Sequence, residues 1–176
     1  QVVTTCNGGT GYGIQEYVYQ GVVTLPGQCV DWRFEYSMCC RNTQITTVTN
    51  AASFNIYVST TLDNFNFPTN SSPVFSNIPV TQFCIGNQFY YQQGATDVDG
   101  DSLVFSLDIA ETTLGASVTY AAPYGALYPL ASSTPITINP QTGTISFTPS
   151  MLQVGVIAIK CEEYRNGVKI GQIKRD

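Results

Sequence analysis

From residue 30 to residue 38 the chain reads VDWRFEYSM, so Val30, Trp32, Phe34, Tyr36 and Met38 fall on one side of an extended backbone. Asp31, Arg33, Glu35 and Ser37 fall on the other. Alternation this strict builds a strand, because side chains two residues apart end on opposite flanks of a helix. Residues 52–62 repeat the pattern, with Phe54, Ile56, Val58, Thr60 and Leu62 opposite Ser53, Asn55, Tyr57 and Ser59. Shorter alternating runs stand at 103–107, 135–138 and 144–148. Residues 154–165 and 168–174 flank Asn166-Gly167, the dipeptide that best accepts positive φ at both centres of a type I′ turn, which predicts a C-terminal β-hairpin. No helical stripe of useful length interrupts these segments. The expected fold is all-β, and each strand is expected to bury its apolar face in a sandwich.

Between residues 63 and 73 the alternation stops and the chain reads DNFNFPTNSSP. Such a stretch marks a domain boundary or a long crossing between sheets. With 176 residues available, it predicts two β-sandwich domains braced by disulfides. These are a cysteine-rich β unit over 1–70 and a β-sandwich over 71–176.

Composition narrows the chemistry. The chain contains no histidine, which removes serine triads, Cys/His dyads and His-based metal centres. Only 11% of residues are charged, yet no apolar run is long enough for a membrane span. The net charge of -5 argues against nucleic acid as a partner, because phosphate binding wants clustered Lys and Arg. The few bases are concentrated at one end: Lys160, Arg165, Lys169, Lys174 and Arg175 follow a long acidic body that holds only Arg33 and Arg41. This asymmetry predicts either a solvated hairpin or a head-to-tail electrostatic contact between copies.

Six cysteines, Cys6, Cys29, Cys39, Cys40, Cys84 and Cys161, occur without histidine or a CxxC pair. That points to disulfides and an oxidising, extracellular setting rather than to zinc. Adjacent Cys39 and Cys40 in a strand would face opposite ways and take different partners. Spacing suggests Cys6 and Cys29 for those two and Cys84 with Cys161, with all 15 pairings open and one or two free, buried thiols as the plain alternative. The chain opens on Gln1 with no Met or leader pattern and stops on GQIKRD within a strand, as a mature or excised segment would.

The densest acidic cluster is ATDVDGDSL, with Asp97, Asp99 and Asp101 two residues apart around Gly100. Alternate carboxylates at a glycine turn suit Ca²⁺, a hard cation that takes six to eight oxygens. The glycine falls at the wrong position for an EF-hand, so calcium here would be a structural clip, with Asp63, Asn64 and Glu162 or Glu163 as further candidate ligands; the plain alternative is a solvated acidic turn. A carboxylate dyad for glycoside hydrolysis is not evident. Asp31 and Glu35 share a strand face but stand roughly 13 Å apart at strand rise, beyond the ~5.5 to ~9.5 Å such sites use. Glu162 and Glu163 point to opposite faces. Asn70-Ser71-Ser72 is the one N-x-S/T sequon and a candidate glycosylation site at Asn70.

Four blocks, SPVFSNIP, GATDVDGDSLVFSL, INPQTGTISFTP and the VGVIAIKCEEYRNGVKIG hairpin, resemble the cadherin-like and immunoglobulin-like repeats of bacterial surface proteins. The stretch GTGYGIQEYVYQGVVTLP, with DWRFEYSMCCRNTQITTV and SFNIYVSTTLDN, is similar to the segment preceding such repeats in large secreted proteins of gliding Bacteroidota, commonly exported by type IX secretion. The resemblance implies calcium on Asp97, Asp99 and Asp101, and surface structure or adhesion rather than catalysis. The expected function is a non-enzymatic, extracellular structural protein at the cell surface, polymerising with itself into a fibre. Residues 1–6, QVVTTC, would add a strand to a neighbour's sheet. The rival expectation is an adhesin module that binds carbohydrate or protein on a calcium-stiffened stalk.

Overall fold

The computed structural model describes residues 17–79 and 82–176. The expected donor strand 1–6 and Cys6 lie outside them. Twelve strands run in chain order: β1 Trp32–Met38, β2 Ile56–Leu62, β3 Val74–Phe75, β4 Phe89–Tyr91, β5 Ala95–Thr96, β6 Ser102–Asp108, β7 Glu111–Thr113, β8 Ala116–Ser117, β9 Ser132–Ile138, β10 Ile145–Pro149, β11 Ala158–Arg165 and β12 Val168–Arg175. One 3-10 turn, Ala51–Ser53, accompanies them, and there is no α-helix among the described residues. The chain is all-β, as its alternation predicts. No helix is long and apolar enough to cross a membrane.

Seven strands form the main sheet, three form a smaller one in the order β4-β10-β9, and β3 pairs with β5. In the main sheet β6, β11 and β12 lie side by side. The β11–β12 hairpin turns through Asn166 (φ 53°) and Gly167 (φ 79°), the two positive angles that Asn-Gly predicts. β1 pairs antiparallel with β2 along all of its length, from Trp32↔Leu62 to Met38↔Ile56. The other edge of β2 meets β12 at Thr60, Thr61 and Leu62 and β7 at Tyr57. Through the ladder between β2 and β12, strands from either side of residue 70 share one sheet. The segment 63–73 is the inter-sheet crossing, carrying the chain from β2 to β3. Asp63 opens it by accepting the N–H groups of Phe65 (3.1 Å) and Asn66 (2.8 Å), the local bonding that makes Asp a turn former.

Two apolar clusters hold the layers. Leu130, Ile136, Ile145, Phe147 and Ile159, packed by Phe83, Phe89 and Leu107, fill the space between the small sheet and the main one in a sandwich-like manner. The rings of Phe83 and Phe89 are 4.4 Å apart at their centroids, and those of Phe83 and Phe147 are 4.9 Å apart. A second cluster of Val48, Ala51, Ala110, Val118, Val156 and Ala158 seats the loop before β2 against β7 and β8.

The period of β1 and β2 is as the sequence predicts, but their burial is not. On β2 the buried residues are Tyr57 and Ser59, each 4% exposed, while Ile56, Val58 and Leu62 are only partly covered. On β1, Phe34, Tyr36 and Met38 remain 37%, 40% and 44% exposed. Among the described strands, β1 pairs only with β2 and forms an edge of the main sheet.

The cysteines also pair differently from the expectation. Cys39 is bonded to Cys40 itself, and Cys84 is disulfide-bonded. Cys29 and Cys161 are thiols, so neither of the expected bridges involving them forms. Cys29 Sγ donates to Asp31 Oδ1 at 2.9 Å, and Cys161 is buried on β11.

Candidate functional site

The turn that carries Asp97, Asp99 and Asp101 is built by its own first acid. Asp97 Oδ1 accepts the backbone N–H of Asp99 at 2.9 Å and of Asp101 at 3.0 Å, and Gly100 supplies the positive φ of 82° that closes the turn. β6 follows at once and pairs with β11, bringing the turn against the start of the C-terminal hairpin.

Of the three predicted ligands, two converge and the third turns away. Asp97, Asp101 and Glu163 each offer a carboxylate oxygen, all within 4.8 Å of one another. Asp99 instead accepts the Ser71 N–H at 2.6 Å and approaches Arg165 at 3.7 Å. Glu163, one of the further candidates, takes its place; it is 1% exposed. The other candidates are engaged elsewhere. Asp63 caps its own turn, Asn64 accepts the Cys29 N–H at 2.7 Å, and Glu162 pairs with Lys160 (3.4 Å) and Lys169 (2.5 Å).

Arg165 closes the cluster from the end of β11. Its Nε donates to Asp101 Oδ1 at 2.7 Å and its Nη2 to Asp101 Oδ2 at 2.5 Å, a two-pronged pairing. Nη2 also donates to Asn70 Oδ1 at 2.8 Å, and the guanidinium lies 5.6 Å from the Phe67 ring centroid. The Asn70 amide completes the circuit by donating from Nδ2 to Glu163 Oε1 at 2.9 Å. The nitrogen expected to carry a glycan is thus a member of the knot. The crossing (Phe67, Asn70, Ser71), the acidic turn and the hairpin are tied together by one polar network.

Four carboxylates face one guanidinium here, and their titration follows. Arg165 beside Asp101 holds that carboxyl below the usual carboxylate range. Burial, then the negative charges of Asp97 and Asp101, push Glu163 up to about 7 against the opposing hydrogen bond from Asn70. Burial, then the negative charges of Glu163, Asp97 and Glu162, push the Cys161 thiol up to about 12, which removes it from thiolate chemistry. Asp97 Oδ2 is buried with no hydrogen-bond partner. An orphaned carboxylate oxygen in a group of acids that shares one guanidinium suits a hard cation. Both Asp101 oxygens are spent on Arg165, so Asp97 and Glu163 would supply the main protein ligands, and the remainder of a six- to eight-oxygen shell would come from water and carbonyls.

Each base at the end of the chain has a partner within the same chain. Lys160 and Lys169 pair with Glu162, Arg165 with Asp101, and Lys174 with both Asp108 and Glu111 at 3.1 Å. Arg175 donates to Gln93 Oε1 at 2.7 Å and lies 4.4 Å from the Phe75 ring centroid. Of these bases, Arg165 and Lys174 reach acids of the preceding body, while Lys160 and Lys169 meet Glu162 on the hairpin itself.

Two further features carried no signal in the sequence. Arg41 and Asp176 form an ion pair whose side chains are only 2% and 7% exposed, and Arg41 Nη2 also donates to the Glu111 carbonyl at 3.0 Å. Between the sheets lies a cavity of about 110 Å³ walled by Phe83, Phe89, Ile145 and Phe147, with Gln93 and Arg175 among its polar lining.

The fold and site define an all-β, sandwich-like protein braced by an acid-arginine knot. No family model matches the chain, and neither a curated protein nor a solved structure matches it.

Proposed function

We propose that this chain is a non-enzymatic structural module of an extracellular bacterial surface fibre, assembled head to tail, of the kind found in secreted Bacteroidota proteins with cadherin-like or immunoglobulin-like repeats. In this reading residues 71–176 are the sandwich repeat, and the β1–β2 hairpin of the cysteine-rich part extends its main sheet. The observation that carries the proposal is the placement of β12. It is hydrogen-bonded on one side to β11 and on the other to β2, and Asp176 just beyond it is locked by Arg41. Pulling on β12 must shear two antiparallel ladders and extract a buried ion pair, which suits a subunit that transmits load. The disulfide-bonded cysteines fit an oxidising exterior. Propagation would use a heterologous strand addition, with residues 1–6 as donor. Because the basic hairpin is neutralised within its own chain, main-chain pairing rather than charge would drive it. Electron microscopy of the purified protein across salt and calcium conditions tests the proposal. Filaments are expected, and monodisperse particles under every condition overturn it.

The convergence of Asp97, Asp101 and Glu163 around an unpartnered oxygen favours a second reading, an adhesin module on a calcium-stiffened stalk. Calcium bound there would supply the positive charge that the knot lacks and rigidify the junction between crossing, turn and hairpin. Titration calorimetry on chelator-treated protein checks the cation, and a glycan array separates a binding module from a passive subunit.

A further inference from the structure

We propose that β1 is the contact through which two copies of this chain form a two-fold symmetric dimer, its outer edge pairing antiparallel with itself about Phe34. The contact is independent of the fibre reading, since a two-fold contact closes at two copies and a fibre would need a second, heterologous one.

Among the described residues, nothing pairs with this edge. β1 keeps unbroken register with β2 over its whole length, so it is a regular strand without a bulge, and it contains neither proline nor lysine, the usual devices that discourage pairing. No described residue makes a backbone hydrogen bond to its outer edge. Its apolar face stays half exposed through Phe34, Tyr36 and Met38, and the Tyr19 ring, 5.4 Å from that of Tyr36, extends this aromatic surface.

The charges select both the partner and the register. Arg33 and Glu35 share the polar face, each more than a third exposed, and their contact within the strand is loose at 3.9 Å. A two-fold axis at Arg33 would set arginine against arginine, and one at Glu35 would set glutamate against glutamate. An axis at Phe34 sets Arg33 of each copy against Glu35 of the other, twice over. The same register pairs Phe34 with Phe34 and Trp32 with Tyr36 on the apolar face, the aromatic cross-strand pairs that stabilise antiparallel sheets. An axis between residues would bring the apolar face of one copy beside the polar face of the other. The strand is therefore complementary to a second copy of itself in one register.

Sedimentation of the full chain over a concentration series, with charge reversal, tests this. The native protein is expected to dimerise. Arg33→Glu and Glu35→Arg, each of which turns two attractive pairs into two repulsive ones, are expected to weaken dimerisation by about tenfold or more. The double variant Arg33→Glu/Glu35→Arg restores both pairs and is expected to return to near the native constant. Phe34→Lys, on the exposed face and away from the cores, places two like charges on the axis and should abolish the dimer while the thermal melt of the monomer is retained. A native protein that stays monomeric overturns the proposal. So does a dimer insensitive to Phe34→Lys, or a double variant that melts normally yet dimerises no better than the singles.

Discussion

Gly171 lies directly across the β11–β12 ladder from Glu163, and a β-carbon placed on it would stand 2.7 Å from Glu163 Oε2 and 3.1 Å from the Thr61 carbonyl oxygen. Both neighbours are fixed, one by the acid knot and the other by the β2 ladder. Gly171→Ala is therefore expected to destabilise the fold by about 1–3 kcal/mol, the usual cost of overfilling a packed site. Denaturant unfolding measures the loss, and calorimetry should show weaker calcium binding in the same variant.

Glu163 gives the protein a pH dependence of defined sign. Its carboxyl titrates near 7 in the fold against an ordinary value of 4.5. Between those values the folded chain holds a proton that the unfolded chain has released, so this group's contribution to stability falls as pH rises, by about 3 kcal/mol at most. Glu163→Gln mimics the protonated form and removes this contribution. The variant should match the native protein near about pH 5 and exceed it near about pH 8 in denaturation midpoint. Equal pH profiles would show that Glu163 is not the group.

On the calcium reading, the cation and the Glu163 proton would compete for one site. Binding to the native protein is expected to tighten as pH rises through 7, with release of a proton, and to be largely lost in Glu163→Gln. Calorimetry in two buffers of different ionisation enthalpy reads the proton count directly.

Arg165 is the single positive charge among these acids. Replacing it with Met strands Asp101, whose side chain is 4% exposed, without its counter-ion, at a cost of about 3 kcal/mol. Added calcium should recover part of that loss, whereas a purely structural defect would gain nothing from it. Thermal unfolding with and without calcium distinguishes the two.

The two thiols should differ in reactivity. Cys29 is partly exposed, while Cys161 is buried with its thiol pushed up to about 12. Brief alkylation of the native protein followed by mass spectrometry is expected to label Cys29, and Cys161 should take label only after unfolding.

Local chemistry made much of the fold legible. Asn166-Gly167 sets the hairpin because few other residues accept two positive φ angles in succession. The alternation in β1, β2, β6, β9 and β10 identifies strands because backbone pleating imposes a period of two whatever the surroundings. Asp97, Asp101 and Glu163 were all visible as candidates, since carboxylates around a glycine turn have few other uses in so weakly charged a chain. Asp99 was misplaced because its role depends on Ser71, which only the crossing brings near.

What period cannot reveal is which face of a strand meets another layer. Tyr57 and Ser59 are inside, and Phe34 and Tyr36 half outside, because burial depends on where β7, β12 and the loops arrive from distant parts of the chain. For the same reason spacing misassigned the cysteines, and the five bases near the end of the chain looked available until tertiary contacts set acids against four of them and Gln93 against Arg175. By itself the sequence determined the all-β class, the hairpin and the exclusion of histidine chemistry, all of which are short-range or compositional. The single sheet shared across residue 70, the knot joining Asn70 to Glu163 and Arg165, and the open edge of β1 were decided by contacts between residues far apart in the chain. Such contacts are long-range events that no local pattern encodes.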